Sequence, residues 1–450
     1  MVMSKLDEWF RQKECLLMEA KPVQIHGRIT GVSGILLEAS LPDARIGDLC
    51  RVMGKDNQEV MAEVVGFNPE STLLSALGQL NGIAQGSPVT PLYQPHKISA
   101  SEKLLGSVLD GFGWPMDEES VSAFAMDDEH PDATSVLGNA PSATDRPRIS
   151  EPLATGVRAI DGMITLGIGQ RMGLFAGAGC GKTTLLAEIA RNTPCDVIVF
   201  GLIGERGREL GEFLQHELDD QLRAKTVMVC ATSDRTSMER ARAAFTATGI
   251  AESFRDKGMS VLLIIDSLTR FARAQREIGL ALGEPPGRGG LPPSVYTLLP
   301  GLLERAGKTT KGAITALYSV LMEADSPNDP VADEVRSLID GHIILNRKLA
   351  EKGHFPAIDI LQSLSRTMPN VVESDHMMLA RQFRQLMASY QQVEMLIRLG
   401  EYQEGNDLMT DVAVQAQPSI AAFLQQENHH PEPFIHMLNK LEETIRAAGL

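Results

Sequence analysis

Phe175-Ala176-Gly177-Ala178-Gly179-Cys180-Gly181-Lys182-Thr183-Thr184 is the stretch on which the reading of this chain turns. An apolar run from Met172 to Phe175 leads into it, and a helical pattern from Thr183 to about Arg191 leaves it. Strand, glycine-rich turn and helix in that order form a phosphate-binding loop. Gly177, Gly179 and Gly181 let the backbone curl until several N–H groups face inward, and the positive end of the helix adds its field to theirs. On this reading Gly177, Ala178, Gly179, Cys180, Gly181, Lys182, Thr183 and Thr184 cradle the phosphates of a bound nucleotide. Lys182 reaches the β- and γ-phosphates, and the Thr183 hydroxyl binds Mg²⁺. Ala176 stands where the usual pattern has its first glycine. That departure is mild, because the three later glycines make the turn. Cys180 lies inside the loop, so modification of its thiol is expected to block nucleotide binding.

Working outward, residues 151–370 alternate strand and helix. The strand candidates are Arg171–Ala176, Asp196–Ile203, Thr226–Ala231, Val261–Ile265, Ala313–Leu321 and His342–Leu345. One intervening helix opens on the capping box Thr236-Ser237-Met238-Glu239 and runs to about Arg255. Near-continuous apolar strands joined by helices mean a parallel sheet covered on both faces. Ligands of such sheets bind at the carboxyl ends of the strands. Ala176, Gly204-Glu205, Thr232-Ser233-Asp234 and Asp266 all fall at those ends.

Asp266 closes the run Val261-Leu262-Leu263-Ile264-Ile265, where the Mg²⁺ shell needs a carboxylate. Glu205, in Leu202-Ile203-Gly204-Glu205-Arg206-Gly207-Arg208-Glu209, can orient and polarise the attacking water. Glu209 is its rival one turn on; Glu205 is preferred because it lies nearer the strand end. Phosphoryl transfer also needs positive charge at the γ-phosphate. Arg270, four residues past Asp266, is one candidate, and Arg366 in Leu364-Ser365-Arg366-Thr367 is another. The loop Gly283–Pro293 is long and rich in Gly and Pro. It reads either as an internal pore loop or as a plain mobile one.

The flanks carry no comparable chemistry. Residues 23–95 contain short strands at Val23–Thr30, Gly34–Ala39, Asp48–Met53, Glu59–Phe67 and Thr72–Ala76, separated by turn residues. That spacing predicts a small β-barrel with an assembly role. Residues 96–150 read as a connector, with an acidic surface loop over Asp117–Asp145. Residues 371–450 follow a helical period, broken at Gly400, and form a packing or docking domain. Residues 1–22 are compatible with a short amphipathic helix. The chain has 450 residues, enough for two or three domains, and a net charge of −16. An acidic chain is a poor general binder of nucleic acid. Five cysteines without metal-type spacing fit a reducing compartment. No apolar run approaches the roughly 18 residues of a membrane span, so any membrane association is peripheral.

With these residues in hand the sequence resembles the export ATPases of type III secretion systems and of the bacterial flagellum, relatives of the catalytic subunit of rotary ATP synthases. The resemblance runs from about residue 25 to 425. It rests on Thr155–Gly162, the phosphate loop, Gly201–Glu209, Thr232–Arg235, Asp266–Ala274, Gly283–Val295, Val331–Ser337 and Pro356–Asp359. Ala178-Gly179-Cys180-Gly181 looks more like the virulence-injectisome branch than the flagellar one. The resemblance implies an α/β fold: a RecA-like phosphate-loop ATPase core, an N-terminal small β-barrel and a C-terminal helical domain. It also implies a homohexameric ring with ATP and Mg²⁺ at subunit interfaces, Glu205 activating water and Arg270 near the γ-phosphate. Arg366 would be an arginine finger serving the neighbour's nucleotide, and Phe355 matches the position that stacks on adenine. The implied role is a cytoplasmic motor, peripheral at the inner membrane, that releases chaperones from export substrates and unfolds them. A stator protein, a central stalk, the export gate and chaperone–substrate complexes are the implied partners.

The sequence departs from the family in three places. The Asp117–Asp145 segment is longer than typical, Leu291 stands where an aromatic is common, and the last 25 residues match weakly. A rotary ATP synthase subunit shares most of the motifs, but Gly201–Glu209 and the Gly283–Val295 loop speak for export. An RNA-translocating ring uses the same core, yet residues 23–95 lack the aromatic and basic clusters it would need. A scaffold without catalysis is disfavoured by the intact set Lys182, Glu205, Asp266 and Arg366.

Overall fold

A computed structural model describes residues 26–55, 58–98, 101–116, 133–322, 329–405 and 407–449. The amphipathic segment at 1–22 and most of the acidic loop expected at 117–145 lie outside the described residues. The chain divides into two compact units, Met1–His96 and Lys97–Leu450.

In the first unit six strands close into a barrel. They are β1 (Gly27–Ser33), β2 (Leu36–Ser40), β3 (Asp48–Met53), β4 (Glu59–Phe67), β5 (Thr72–Ala76) and β6 (Pro88–Pro95), in the order β1-β2-β5-β4-β3-β6 with β6 returning to β1. Alternate residues point inward, as a strand's period of two requires. Leu37 and Ala39, Cys50 and Val52, Ala62 and Val64, and Leu74 and Ala76 fill the interior. Five of these strands are read from sequence and the sixth is not. β6 carries Pro88, Pro91 and Pro95, and proline argues against a strand that must pair on both sides. It pairs on both sides here all the same, through Val89 with Gly27 and with Val52, and so closes the barrel.

The second unit is built on a nine-stranded sheet. Its strands include β7 (Val108–Asp110), β8 (Arg171–Ala176), β9 (Val197–Ile203), β10 (Thr226–Ala231), β11 (Ser260–Asp266), β12 (Ala313–Leu321), β13 (Gly341–Leu345) and β14 (Leu364–Ser365). They lie in the order β14-β13-β8-β12-β11-β9-β10-β7, and Gly307–Lys308 adds a short antiparallel strand on β12. From β13 to β7 every pairing along that order is parallel. β7 was not expected. It lies in the segment read as a connector, so that segment supplies an edge strand of the sheet.

Every residue of β9 is buried, which explains its unbroken apolar run: helices cover both faces. On one face lies α3 (Ser237–Asp256), capped by Thr236, whose hydroxyl accepts from Glu239 N. Its small residues Ala243, Ala244 and Ala247 let it pack closely on the sheet. The buried Arg305, whose guanidinium pairs with Glu252 of this helix, donates to Val136 O at 2.7 Å and ties the connector down. On the other face one continuous core joins α1 (Arg158–Met163) and α2 (Lys182–Asn192) to the C-terminal helices α5 (Ser374–Leu399), α6 (Leu408–Leu424) and α7 (Phe434–Ala447). Ile160, Leu186, Phe383, Phe423 and Leu441 all belong to it. The helical region therefore shares a core with the sheet. The last turns of α5 leave that core: Met395 and Leu399 are 71% and 62% exposed.

Candidate active site

The phosphate loop follows β8 and ends at the start of α2. Gly179 and Gly181 have φ of 79° and 78°, a left-handed conformation that costs a residue with Cβ about 1–2 kcal/mol. The loop can therefore curl without strain. Cys180 is different from its neighbours. Its side chain is 2% exposed and sits in the apolar core. The loop offers its backbone at Ala178 and Gly179 to solvent and keeps this side chain buried, so a reagent must reach a buried thiol before it can block the nucleotide.

Four charged side chains meet beside the loop. Lys182 pairs with Asp266 at the end of β11 and lies 3.9 Å from Glu205 Oε1. Arg270, in the first turn of α4 (Leu268–Ala281), pairs with the same carboxylate. Gly204 makes that pairing possible, since a Cβ there would come within 2.9 Å of the Arg270 side chain. All four are largely buried, their side chains between 4% and 24% exposed. Two cations balance two carboxylates, so the cluster carries no formal net charge. Burial raises the Glu205 carboxyl above the ordinary glutamate range, opposed by Arg270 and Lys182 and reinforced by Asp266. Glu205's backbone is fixed as well: Ser233 N donates to Glu205 O at 2.9 Å. Glu209, the rival carboxylate, points elsewhere. It is 46% exposed and pairs with Arg206.

These residues suit Mg²⁺. That ion keeps several waters and takes one or two carboxylates plus substrate phosphates, not a closed protein cage. Asp266 offers a buried carboxylate whose Oδ1 accepts from Ser319 Oγ at 2.6 Å, and Thr183 is exposed at the end of the loop. Among the described residues no cluster of three or more acidic, His or Cys side chains could form a cage.

Beside the loop opens a pocket of about 350 Å³. Gly181, Thr184 and Glu188 line one side, Phe355 and Ala357 another, and Gln426, Glu427 and Asn428 from the C-terminal region a third. Phe355 is 43% exposed, with its ring 3.5 Å from where a Gly181 Cβ would be. An exposed aromatic flanking a phosphate loop is placed to stack on a base.

Arg366 is nowhere near this cluster. Ser365 pairs with Gly341 at the beginning of β13, and Arg366 N donates to Asp340 O at 2.9 Å. β13 runs parallel to β8, with Gly341 opposite Met172 and Leu345 opposite Ala176. The loop leaves β8 at its far end, so Arg366 stands about 15 Å or more from its own phosphate site, at about 3.3 Å per strand residue. The loop at Gly283–Pro293 is also anchored. Ser294 N donates to Glu284 Oε2 at 2.9 Å, Arg288 pairs with Asp333 at 3.2 Å, and Leu291 is 5% exposed. Leu291 thus has no side chain to present to a pore.

Two parts of the site were missed in the sequence. Ser319 had a signal, as a polar residue inside the apolar strand Ala313–Leu321. Gln426–Asn428 had none, because a polar stretch between helices reads as an ordinary turn.

A model of the nucleotide-binding domain of the ATP synthase alpha/beta family matches residues 156–365, and its beta-barrel domain matches 29–92. A model of the T3SS EscN ATPase C-terminal domain matches 372–443. The match thus runs past residue 425, where the sequence reading ended the resemblance. The type 3 secretion system ATPase of Pseudomonas syringae pv. tomato is 60% identical over 436 residues, 97% of each chain. The chain belongs to the type 3 secretion system ATPases. Its fold agrees with the assembled ATPase EscN of the enteropathogenic E. coli type III secretion system, at a TM-score of 0.87 and 45% identity over 93% of this chain and 100% of that one. A second structure, of EscN with its central stalk EscO, matches at 0.84 and 44% over the same shares. The RecA-like core, small barrel and helical C-terminal region expected for this ATPase are thereby shown, and the cluster around Lys182 belongs to an ATP-hydrolysing enzyme. Among its described residues no helix is long and apolar enough to cross a membrane.

Proposed function

We propose that this ATPase is the motor of a type III protein secretion apparatus, and that it works as a homohexameric ring with each ATP held between two subunits. One observation carries the reading: the chain has every group an ATP site needs except its last cation, and Arg366 lies exposed at the wrong end of its own sheet. An arginine so placed can serve a neighbour's nucleotide and not its own. The assembled state of EscN supports the ring, and the EscN–EscO complex supports a central stalk as partner.

Within one subunit the residues take the following roles. Backbone N–H groups from Gly177 to Thr184 hold the phosphates, and the Phe355 ring stacks on adenine. Thr183 and Asp266 hold Mg²⁺, which would neutralise charge on the β- and γ-phosphates. As ATP enters, its γ-phosphate competes for Lys182 and Arg270. Lys182 turns from Asp266 to the phosphate, and Arg270 turns from Glu205. Each carboxylate is released as its cation is claimed. Glu205 is then free to accept a proton from the attacking water, and its raised pKa keeps its basicity matched to that step. Arg270, with Arg366 of the adjoining subunit, meets the charge that develops on the transferred group.

Hydrolysis would drive the release of chaperones from export substrates and their unfolding. The exposed apolar end of α5, with Met395 and Leu399, supports a docking role for the C-terminal region. A stator protein and the export gate would complete the set of partners, with the ring in the cytoplasm, peripheral at the inner membrane.

The test is the Mg²⁺-ATPase rate per subunit against protein concentration, for wild type and Arg366→Ala. The rate should climb as rings assemble, and Arg366→Ala should abolish it without preventing assembly. A flat rate from a monomer that tolerates the substitution would refute the shared site.

A further inference from the structure

Gln426 uses more of its hydrogen-bonding capacity than a loop residue needs. It lies two residues past α6. Its backbone N–H donates to Phe355 O at 3.0 Å. Its side-chain Oε1 accepts from Arg158 N at 2.9 Å, and Nε2 donates to Gly156 O and to His430 O, each at 2.7 Å. Both amide protons are spent on carbonyls and the amide oxygen on an N–H. Glutamate could not supply the two donors, and no apolar side chain could supply either kind. One residue thus joins three pieces of chain: the peptide of Phe355, the turn before α1, and its own loop. Phe355, Val157 and Gln426 all border the 350 Å³ pocket beside Gly181.

We propose that Gln426 is a positioning residue for the nucleotide base. It fixes the gap between the Phe355 ring and the wall at Val157, so that the base enters a slot that is already formed. With its amide engaged on all sides it acts through these neighbours and not by touching the base. A preformed slot spares the ordering cost that a loose one would exact on binding. The role rests on Phe355 as the base-stacking aromatic, and it ties the slot's width to the segment leaving α6.

The surrounding segment has other anchors. Glu432 N donates to Gly156 O at 3.0 Å, Arg158 pairs with Glu432 at 3.2 Å, and His429 N donates to Glu188 Oε2 on α2 at 3.2 Å. Removing the Gln426 amide therefore loosens the slot without releasing the segment.

The experiment separates base from phosphates. Affinities for AMP-PNP and for inorganic tripolyphosphate, both with Mg²⁺, are measured by calorimetry on the full chain. The proteins are wild type, Gln426→Glu, Gln426→Met, Phe355→Ala and the double variant Gln426→Glu with Phe355→Ala. Loss of the two donated hydrogen bonds in Gln426→Glu, and of all three side-chain hydrogen bonds in Gln426→Met, predicts AMP-PNP binding weaker by about tenfold or more, with tripolyphosphate unchanged. Phe355→Ala should show the same pattern, and the double variant should lose little more, because the two act on one slot. If both ligands weaken alike in the Gln426 variants, the residue is merely structural and the proposal falls. It also falls if the losses in the double variant multiply to about a hundredfold. A changed ligand ratio in Phe355→Ala with an unchanged one in the Gln426 variants overturns the Gln426 role alone. An unchanged ratio in Phe355→Ala removes the base-stacking reading and this role with it.

Discussion

Replacing Glu205 by Gln is expected to move nucleotide affinity and turnover in opposite directions. Lys182 and Arg270 together balance Glu205 and Asp266 within one buried cluster. Glu205→Gln keeps the side chain's shape but leaves the cluster with one positive charge in excess. A unit charge about 5 Å from a phosphate oxygen, at an effective dielectric near 20, contributes about 3 kcal/mol. The Lys182 and Arg270 side chains are 11% and 24% exposed, so solvent screening cuts this to about 1 kcal/mol, or about fivefold tighter binding. Arg270 and Lys182 would also be released from Glu205 before the substrate arrives. Turnover should instead fall by about 10²–10⁴, because the amide cannot take a proton from water. The two quantities are read separately, as the dissociation constant for AMP-PNP by calorimetry and as phosphate release at saturating ATP. The wild-type rate should also fall on the acid side, with an apparent pKa above that of an ordinary glutamate, because the carboxyl is held up by burial. Weaker binding, or turnover within about threefold of wild type, would refute the charge exchange and move the base role to Glu209.

Asp161 supplies a prediction about stability. It is fully buried, accepts from Thr155 N, Gly156 N and the Thr155 hydroxyl, and burial raises its pKa from 3.8 to about 7. The folded carboxyl holds its proton more tightly than the unfolded one. Unfolding therefore releases a proton between about pH 4 and about pH 7, and stability falls as pH rises through that window. Urea unfolding of Asp161→Asn should show a shallower loss across those pH values, and an identical slope would exclude Asp161 as its source. Cys180 should react slowly with a bulky thiol reagent in the folded protein and fast in urea, since its side chain is 2% exposed; rapid native-state labelling, absent in Cys180→Ser, would contradict the buried placement.

The sheet was legible because its strands are buried on both faces and so carry unbroken apolar runs. Arg171–Ala176, Thr226–Ala231 and Ala313–Leu321 fall where the sequence sets them. β6 and β7 were not legible, for different reasons. Three prolines disguise β6, and tertiary pairing with Val52 and Gly27 overrides them. β7 has three residues and is a strand only because β10 offers it an edge. In the site, the sequence named the four charged residues but not who would pair with whom. That depends on Gly204 letting Arg270 lie against the chain beside Glu205, a contact between elements separated by more than sixty positions. The pocket wall at Gln426 lies still further out of reach, since its partners Gly156 and Phe355 come from opposite ends of the core domain.

On the proposed reading, the placement of the arginines gives the chain a reason to assemble. Arg270 reaches the site from α4, but without nucleotide it is held by Glu205, the carboxylate proposed as the base. Without nucleotide the site's cations are committed to its own carboxylates, and on the proposed mechanism a further positive charge would meet the negative charge that builds on the γ-phosphate. Lys182 is held in the same way, between Asp266 and Glu205, until a phosphate claims it. Arg366 is exposed, yet the parallel register of β13 and β8 fixes it at the end of the sheet remote from the loop. No side-chain rotation spans that distance. On the proposed reading that further charge is Arg366 of a second copy. On the proposed ring it arrives when the neighbour docks, which makes hydrolysis in each site conditional on contact with the next.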